Sequence, residues 1–139
     1  MYIKLKLFEP ECSPEQHGDL IDLKSAKDMS YKQGDTVMIP LGVAMQLPTG
    51  YEAHLYPRSS TLKHFGIIMT CSVGIIDEAY CGDNDQWHFP AYAIRDGEIK
   101  KGERVAQFRI MEHQPKIIFE NIDFLNNNDR GGFGSTGKR

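Results

Sequence analysis

Residues 74–82, Gly-Ile-Ile-Asp-Glu-Ala-Tyr-Cys-Gly, place two carboxylates and a phenol between glycines. Ile75 and Ile76 are β-branched and favour a strand, and the flanking glycines allow backbone conformations that a side chain would forbid. Asp77 would then lie at the end of a rigid strand, which is typical of a reactive site. The alternative is a turn in which Asp77 and Glu78 only make local hydrogen bonds, and the segment in isolation favours that turn.

Residues 130–139, Arg-Gly-Gly-Phe-Gly-Ser-Thr-Gly-Lys-Arg, form a second candidate site. Glycines let backbone N–H groups approach an anion closely, Ser135 and Thr136 can donate hydrogen bonds, and the Arg130 guanidinium matches phosphate oxygens. This composition predicts a phosphate-binding segment. The alternative is a disordered glycine-rich tail, although an aromatic residue such as Phe133 is unusual in a disordered linker.

Arg58, Ser59 and Ser60 form a third candidate, in which hydroxyl and backbone N–H groups beside an arginine could bind an anion. The alternative is that Ser60 only caps the short helix that follows it. Gln107 lies in an alternating strand, where a polar residue most often faces solvent. The five histidines show no metal-ligand spacing.

Short strands are the elements that would position these residues. Residues 2–8 alternate, with Ile3, Leu5 and Leu7 on one face, which predicts a half-buried strand. Pro90 predicts an edge or a bulge in the strand that contains it. Further strands are expected over residues 36–39, 42–47, 52–56, 67–70, 73–76, 87–94, 104–110, 116–119 and 122–125.

One helix is predicted, beginning after Ser60 and ending before Gly66. Short strands in this number with almost no helix indicate an all-β sandwich or barrel. The polar residues 126–129 then separate the strands from the glycine-rich tail. We therefore expect a β domain over residues 1–125 and a flexible C-terminal arm over residues 126–139.

The composition is that of one globular domain, with 139 residues, 40% of them hydrophobic and 25% charged. A formal net charge of -3 gives no global signal for nucleic-acid binding. Cys12, Cys71 and Cys81 fit neither a disulfide framework nor a zinc site, which favours reduced thiols in the cytoplasm. No apolar stretch reaches the length of a signal-peptide core or a membrane span, so no membrane association is expected.

Several of these segments together resemble, in order, the motifs of the trimeric dUTPase family (dUTP nucleotidohydrolases). The resemblance runs from about residue 18 to the C-terminus. It is closest to the subgroup of Gram-positive bacteria and their phages, because Asp-Asn-Asp-Gln-Trp-His-Phe-Pro follows Gly82. The matching segments are Pro57-Arg-Ser-Ser60, Gly74 to Gly82, Gly102-Glu-Arg-Val-Ala-Gln107, Arg130 to Gly137 and, loosely, Ile21 to Asp28.

The resemblance implies a distorted jelly-roll (a dUTPase-like β-clip), a homotrimer with active sites at subunit interfaces, and Mg²⁺-dependent hydrolysis of dUTP to dUMP and pyrophosphate. It implies that Asp77 activates the attacking water, that Tyr80 packs beneath the deoxyribose, and that Phe133 closes over uracil. Asp28 would hold the magnesium ion through a water molecule. The other residues expected to bind substrate are Arg58, Ser59, Ser60, Val73, Gly74, Ile76, Gln107, Arg130, Gly134, Ser135 and Thr136.

The chain departs from the common family pattern at three places. The first motif lacks the usual Ala-Gly pair ahead of Asp22, which could simply be solvated, and for this reason Asp28 is preferred for the magnesium shell. Cys71 stands where some members have an asparagine that contacts uracil, so the backbone of residues 73–80 is expected to recognise the base. The segment 83–90 replaces a shorter continuation.

Two alternative functions stay open at this point. The dCTP deaminases share the fold and an Arg-Ser-Ser motif, but their catalytic glutamate has no match in residues 87–94. The second alternative is a regulatory protein that uses a dUTPase scaffold to engage a partner, and residues 83–90 are where such a partner would be expected to bind.

Overall fold

Antiparallel strands make up most of the regular structure in residues 1–134 and 138, the part of the chain that this computed structural model describes. One short α-helix, α1 (Thr61–Phe65), and one 3₁₀ turn (Pro10–Cys12) complete it. The all-β prediction with a single α-helix is confirmed.

In chain order the strands are β1 (Lys4–Leu7), β2 (Glu15–Gln16), β3 (Ile21–Lys24), β4 (Met29–Tyr31), β5 (Thr36–Pro40), β6 (Val43–Gln46), β7 (Tyr51–Pro57), β8 (Ile67–Met69), β9 (Gly74–Ile76), β10 (His88–Ala93), β11 (Gly97–Ile99) and β12 (Arg104–Glu112).

The largest sheet has five strands in the order β2-β3-β12-β7-β9. Its centre is β12, a nine-residue strand that pairs with β3 on one side and with β7 on the other. Beside it lie a three-stranded sheet, β5-β10-β8, and the two pairs β1-β6 and β11-β4. Strands β2, β3, β4 and β11 were missed from the sequence, because each has only two to four residues and shows almost no alternation.

The core lies between these sheets and is closed by aromatic side chains. Trp87 and Phe108 pack edge to face, with ring centroids 5.1 Å apart. Phe89 and Leu23 are likewise fully or almost fully buried, and each such side chain contributes about 1.5–3 kcal/mol of burial free energy. No helix among the described residues is long and apolar enough to cross a membrane.

The prediction that Pro90 marks an edge or a bulge is wrong, because β10 is the middle strand of its sheet and pairs with β5 and β8 in a regular register. The carbonyl of Pro90 accepts a hydrogen bond from the Thr70 amide at 3.1 Å, so its nitrogen also points towards β8. Strand β8 ends at Met69, one residue before Thr70. The missing proline N–H therefore falls at the end of β8, where it removes only the bond that would return to the Thr70 carbonyl.

The strands predicted over 116–119 and 122–125 are absent, and no described residue from 113 to 134 lies in a helix or strand. The apolar side chains that suggested these strands point to solvent in the single chain, with Phe119 89% and Phe124 78% exposed. The first strand is confirmed, but its expected half-buried face is exposed as well. An alternating sequence predicts an apolar face, but it does not show whether the same chain or another molecule covers that face.

Helix α1 begins and ends as predicted, but Ser60 does not cap it through its side chain. The hydroxyl of Thr61 instead accepts a hydrogen bond from the Arg58 amide at 2.8 Å. At the other end Gly66 adopts a φ of 65°, and its amide bonds the Leu62 carbonyl at 2.8 Å. Gly66 therefore predicted the end of the helix correctly. The sequence did not show that the hydroxyl group of Thr61, and not that of Ser60, makes the hydrogen bond at its start.

Gly42, the residue before β6, packs tightly against Cys12 of the 3₁₀ turn, and a substitution there tests this packing. It is buried with a φ of 69°, and a Cβ atom there would lie 2.5 Å from Cys12 Sγ. We expect Gly42→Ala to cost about 1–2 kcal/mol for backbone strain and a further 1–3 kcal/mol for overpacking. Urea denaturation followed by the fluorescence of the single tryptophan measures the loss.

Gly34→Ala is the matched control, because Gly34 has a φ of 93° and nothing within 4 Å of an added Cβ. It should show the backbone cost alone. Equal losses for the two variants would mean that Cys12 moves aside freely and that this part of the core is loosely packed.

Candidate active site

Four of the sequence motifs come together on the five-stranded sheet. Asp22 lies on β3, and Gln107 lies opposite it on β12. Arg58 follows the last residue of β7, and Asp77 follows the last residue of the edge strand β9. One sheet therefore positions the candidate residues of these four segments, whereas Asp28 and the C-terminal arm lie outside it.

Asp22 is the buried centre of this arrangement, with an exposed fraction of 7%. Its Oδ1 lies 3.3 Å from Arg58 Nε and its Oδ2 lies 3.5 Å from Arg104 Nη1. These three residues are called the Asp22 cluster below. The expectation that this acid could simply be solvated is wrong: a buried carboxylate needs paired charges, and the end of β7 and β12 supply them.

The backbone of Arg58 is held by Thr61, which is almost fully buried. The Thr61 hydroxyl accepts from the Arg58 amide at 2.8 Å and donates to the Val105 carbonyl at 3.0 Å. The register between β12 and β3 shifts between Arg104 and Ala106, so Val105 is the extra residue of a β-bulge. The bulge leaves a carbonyl for Thr61 and thereby ties Arg58 to β12.

Gln107 adds a second link, because its Nε2 donates to the Pro57 carbonyl at 3.1 Å. Ser60 is half-buried and Ser59 is exposed beside it. Arg58, Ser59, Ser60 and Gln107, all predicted to bind phosphate, thus lie around the junction of β7 and α1. The structure brings these four together, and their binding of phosphate stays a prediction.

A groove of about 910 Å³ opens beside this junction, and its charged lining consists of four cations and three acids: Lys24, Arg58, Lys100, Arg104, Glu15, Glu98 and Glu103. Lys24 bonds Glu15 at 2.5 Å, and this bond, with a second one from His17, lowers the pKa of Glu15 to about 2. Lys24 is therefore already neutralised. The two guanidinium groups share one carboxylate, which leaves the Asp22 cluster with one net positive charge facing the groove.

Asp77 is exposed in a tight turn that its own atoms stabilise. Its Oδ1 accepts from the Ala79 amide at 3.1 Å, and its carbonyl accepts from the Tyr80 amide at 3.0 Å. The turn interpretation is thus geometrically right. It does not exclude chemistry, because the local bonds fix the direction of an exposed carboxylate.

Glu78, the neighbour of Asp77, anchors this turn to the rest of the sheet. Its Oε2 accepts from the Gly50 amide at 3.0 Å, and its Oε1 lies 3.4 Å from His113 Nε2. The pKa of His113 is raised, first by the bond to the Gln114 carbonyl and then by Glu78 and Glu52. The acid next to the candidate base therefore has a structural role.

Tyr80 and Asp77 line a second groove of about 340 Å³. The Tyr80 side chain is 39% exposed, and its hydroxyl donates to the Gln86 carbonyl at 2.9 Å. Ile76 packs against the core, and Gly74 lies so close to Leu55 that an added Cβ would meet its Cβ at 3.1 Å. Val73 directly precedes this strand.

Asp77 and Arg58 lie at opposite ends of β7. Gly74 pairs with Leu55 and Ile76 pairs with Ala53, so the chain leaves β9 near the start of β7, while Arg58 follows its end. Six residues of extended strand separate the two levels, which is roughly 20 Å. Within one chain the candidate base and the cationic groove therefore do not face each other.

Asp28 lies apart from both grooves, on the loop before β4. It is exposed, and its Oδ1 accepts from the Lys101 amide at 2.8 Å. It lines a small groove with Met29 and Lys100. Among the described residues no group of three or more His, Cys, Asp and Glu side chains could hold a metal ion.

The C-terminal arm contributes Arg130, Phe133 and Gly134 to the predicted site, and all three are exposed in the single chain. Phe133 has a φ of 50°, unusual for a bulky residue, between Gly132 and Gly134, which also have positive φ values. The predicted phosphate ligands Ser135 and Thr136 lie outside the described residues.

Sequence reasoning passed over Asp22 in favour of Asp28 and missed Arg104 as a part of the site. Asp22 carried a usable signal: it stands between Ile21 and Leu23, and an acid inside an apolar strand is rarely buried without a partner. Arg104 carried none of its own, because its link to Asp22 depends on the pairing of β12 with β3.

A protein-family model described as dUTPase matches residues 11–137 of the chain. The chain is 53% identical, over 142 aligned residues and the full length of both proteins, to the SPbeta prophage-derived deoxyuridine 5′-triphosphate nucleotidohydrolase YosS of Bacillus subtilis strain 168. These similarities favour the dUTPase resemblance over the dCTP deaminase alternative.

Two solved structures share the fold. A mutant of the Staphylococcus bacteriophage 80alpha dUTPase with dUpNHpp aligns with a TM-score of 0.80 at 22% identity, over 99% of each chain. A mutant dUTPase of phage phi11 of S. aureus, described with a structural Mg(II) ion, aligns with a TM-score of 0.76 at 16% identity, over 90% of this chain and 99% of that one. The expected dUTPase-like jelly-roll is confirmed.

The Asp22 cluster yields a stability prediction. Asp22→Asn keeps the shape of the side chain but leaves Arg58 and Arg104 without a counter-charge, so the free energy of unfolding should fall by about 1–3 kcal/mol. Asp19→Asn is the matched control, because Asp19 pairs with Arg109 at the surface with its side chain 76% exposed. That control should lose about 0.5 kcal/mol or less. Equal losses in urea denaturation would show that the cluster does not hold the groove together.

Proposed function

Since this chain belongs to the dUTPase family, we propose that it hydrolyses dUTP to dUMP and pyrophosphate. The observation that carries the proposal is an oriented, exposed carboxylate at Asp77 on the same sheet that holds the Arg58 guanidinium in place through Asp22. Such a reaction limits the incorporation of uracil into DNA and supplies dUMP for thymidylate synthesis. The three cysteines are unpaired, which supports a reducing cytoplasm as its location.

Asp77 is the proposed general base. Water attacks the α-phosphorus, its proton passes to the Asp77 carboxylate, and the bond to the oxygen bridging the α- and β-phosphates breaks to release pyrophosphate. Because the Ala79 amide already holds Oδ1, the direction of the carboxylate is set before substrate binds. A general base of this kind typically contributes 10²- to 10⁴-fold in rate.

The phosphates bind at the Arg58 side of the sheet. Arg58 supplies a guanidinium group whose orientation is fixed by Asp22. The hydroxyl groups of Ser59 and Ser60 and the side-chain amide of Gln107 donate hydrogen bonds to the phosphates. Fixed donors that face the developing negative charge stabilise the transition state without reorganising. Arg104, the second cation of the Asp22 cluster, keeps that carboxylate from neutralising Arg58 completely.

Mg²⁺ fits this donor set as a partner of the substrate. In nucleotide sites Mg²⁺ is usually held by one or two carboxylates together with the phosphates, which agrees with the absence of a cage of three or more ligands among the described residues. Asp28 is the proposed carboxylate and would hold the ion through a water molecule. It is exposed, and its Oδ1 accepts a hydrogen bond from the Lys101 amide. When bound, the ion would neutralise charge on the phosphate oxygens.

The edge strand β9 is proposed to recognise the base and the sugar. One side of its backbone has no neighbouring strand in the sheet, so every second residue presents its N–H and C=O groups there to pair with uracil, and Val73, Gly74 and Ile76 are the residues proposed to contact the base. The Tyr80 ring, three residues after Asp77, would pack beneath the deoxyribose and exclude a 2′-hydroxyl. Base, sugar and attacking water then share one short segment.

A homotrimer with shared active sites is proposed, and the separation of about 20 Å along β7 supports the sharing, because one chain does not bring the two halves together. Asp77 of one subunit would face Arg58 of a second, and the arm of residues 126–139 would close the site with Arg130, Phe133, Gly134, Ser135 and Thr136. The exposed apolar side chains of residues 117–125 support such contacts, because they would be buried by a second copy. A regulatory protein partner, expected at residues 83–90, stays a separate prediction.

Subunit mixing tests both the base and the shared site. Asp77→Asn should lower the rate of pyrophosphate release from dUTP by 10²- to 10⁴-fold while nucleotide binding persists. Arg58→Ala should also be nearly inactive, because the phosphate-binding cation is gone. Trimers that contain both variant chains, isolated through two different tags, should regain about one third of the wild-type rate, because one of three interfaces then pairs two intact residues.

The controls are trimers of each single variant carrying both tags, and a double variant mixed with itself, none of which can form an intact pair. Mixed trimers that stay as inactive as these controls would place Asp77 and Arg58 in unrelated sites. A wild-type rate for Asp77→Asn alone would remove Asp77 from the chemistry.

Removal of residues 130–139 tests the arm. The truncated chain should lose most of its turnover, because the arm supplies phosphate ligands and the ring over uracil, while size-exclusion chromatography still shows the wild-type oligomer. Phe133→Leu in the full chain is the milder companion and should mainly weaken dUTP binding. A truncated enzyme that turns over dUTP normally would leave the arm without a role in the site.

A further inference from the structure

The Tyr80 hydroxyl joins the reactive turn to the segment of residues 83–88, because it donates to the Gln86 carbonyl at 2.9 Å. We propose that this 83–88 segment is the positioning element of Tyr80, and that Gln86 thereby sets the discrimination of dUTP against UTP. The proposal rests on the proposed function, in which the Tyr80 ring excludes a 2′-hydroxyl. It concerns what holds the ring, which the resemblance to other dUTPases does not specify.

The turn fixes the backbone of Tyr80 but not its ring. The Tyr80 amide bonds the Asp77 carbonyl at 3.0 Å, which places the Cα atom relative to the candidate base. The side chain is 39% exposed, and an aromatic side chain this open can adopt several χ1 rotamers. A hydrogen bond at the tip of the ring selects one of them.

The acceptor of that bond is anchored in the core. The Gln86 side chain accepts from the Gly42 amide at 3.0 Å, and the next residue, Trp87, is fully buried. The Trp87 amide bonds the Val43 carbonyl at 2.9 Å, and its own carbonyl accepts from the Leu41 amide at 2.9 Å. The Gln86 carbonyl therefore lies between two fixed points, and movement of the phenol would break a bond to a rigid partner.

The start of the segment is folded back so that residue 86 can reach Tyr80. The Asp85 carboxylate accepts from the Gly82 amide at 2.8 Å, and the Asp85 amide bonds the Gly82 carbonyl at 3.1 Å. Lys6 of β1 donates to the Asp83 carbonyl at 2.6 Å. The segment is thus closed by its own bonds before it enters the core.

The groove beside Tyr80 links this geometry to specificity. Tyr80, Gln86 and Asp77 all line the same space of about 340 Å³. A tilt of the ring away from Gln86 would enlarge this space where the sugar binds, next to the candidate base. The wrong sugar would then be tolerated while the attacking water stays in place.

The test is the ratio of kcat/KM for dUTP to that for UTP, measured by pyrophosphate release. Tyr80→Phe keeps the ring and removes the donor, and the ratio should fall about threefold to tenfold, the effect of one neutral hydrogen bond. Gln86→Ala frees the acceptor from Gly42 and should lower the ratio by about twofold to fivefold. The double variant should fall no lower than Tyr80→Phe alone, because both changes act through one bond.

Tyr92→Phe is the matched control, since Tyr92 is 40% exposed on β10 and lines neither groove, and its ratio should equal that of the wild type. Unchanged melting temperatures show that each variant is folded. An active Tyr80→Phe enzyme with the wild-type ratio, or losses that multiply in the double variant, would overturn the positioning role alone. A folded wild-type chain that releases no pyrophosphate from dUTP would overturn the proposed function as well.

Discussion

The buried Asp22 carboxylate, shared by Arg58 and Arg104, is the interaction on which the cationic groove depends. A carboxylate with an exposed fraction of 7% is unfavourable unless its partners are held in place. Those partners come from the end of β7 and from β12, so the ion pairs form only when three strands are in register. The groove is therefore stable only in the fully assembled sheet, and the orientation of its two guanidinium groups is a product of the fold.

The bulge at Val105 and the hydroxyl of Thr61 complete this arrangement at the level of the backbone. A regular strand would leave no carbonyl free inside the sheet for Thr61 to bond, whereas the extra residue of the bulge supplies one. The same hydroxyl group accepts a hydrogen bond from the Arg58 amide. One almost fully buried side chain thus ties the start of α1 to the central strand, and this strand holds the residues that are proposed to bind phosphate.

The proposed division of the site between subunits has an equally simple basis. Arg58 follows the end of strand β7. The Asp77 turn lies near the start of β7, because β9 pairs with that part of the strand. An extended strand cannot bend back on itself, so a second chain is the direct way to bring the two halves together. The exposed apolar residues of β1 and of residues 117–125 agree with burial against other copies of the chain.

The sequence by itself determined the local features: the all-β class, the longer strands, the helix that ends at Gly66, and the residue types of the Asp77 turn and the glycine-rich arm. These depend on periodicity, backbone freedom and side-chain chemistry, which act over a few neighbouring residues. Only the tertiary structure decided that Asp22 is buried, that Pro90 fits a central strand, that residues 116–125 form no strand in one chain, and that Gln86 holds Tyr80. The first three depend on which distant segment lies alongside, because strand register joins residues up to 87 positions apart, as Phe108 and Ile21 are, and no local pattern encodes that partner. The bond between Tyr80 and Gln86 spans six positions, but it depends on the distant Gly42, whose amide anchors the Gln86 side chain.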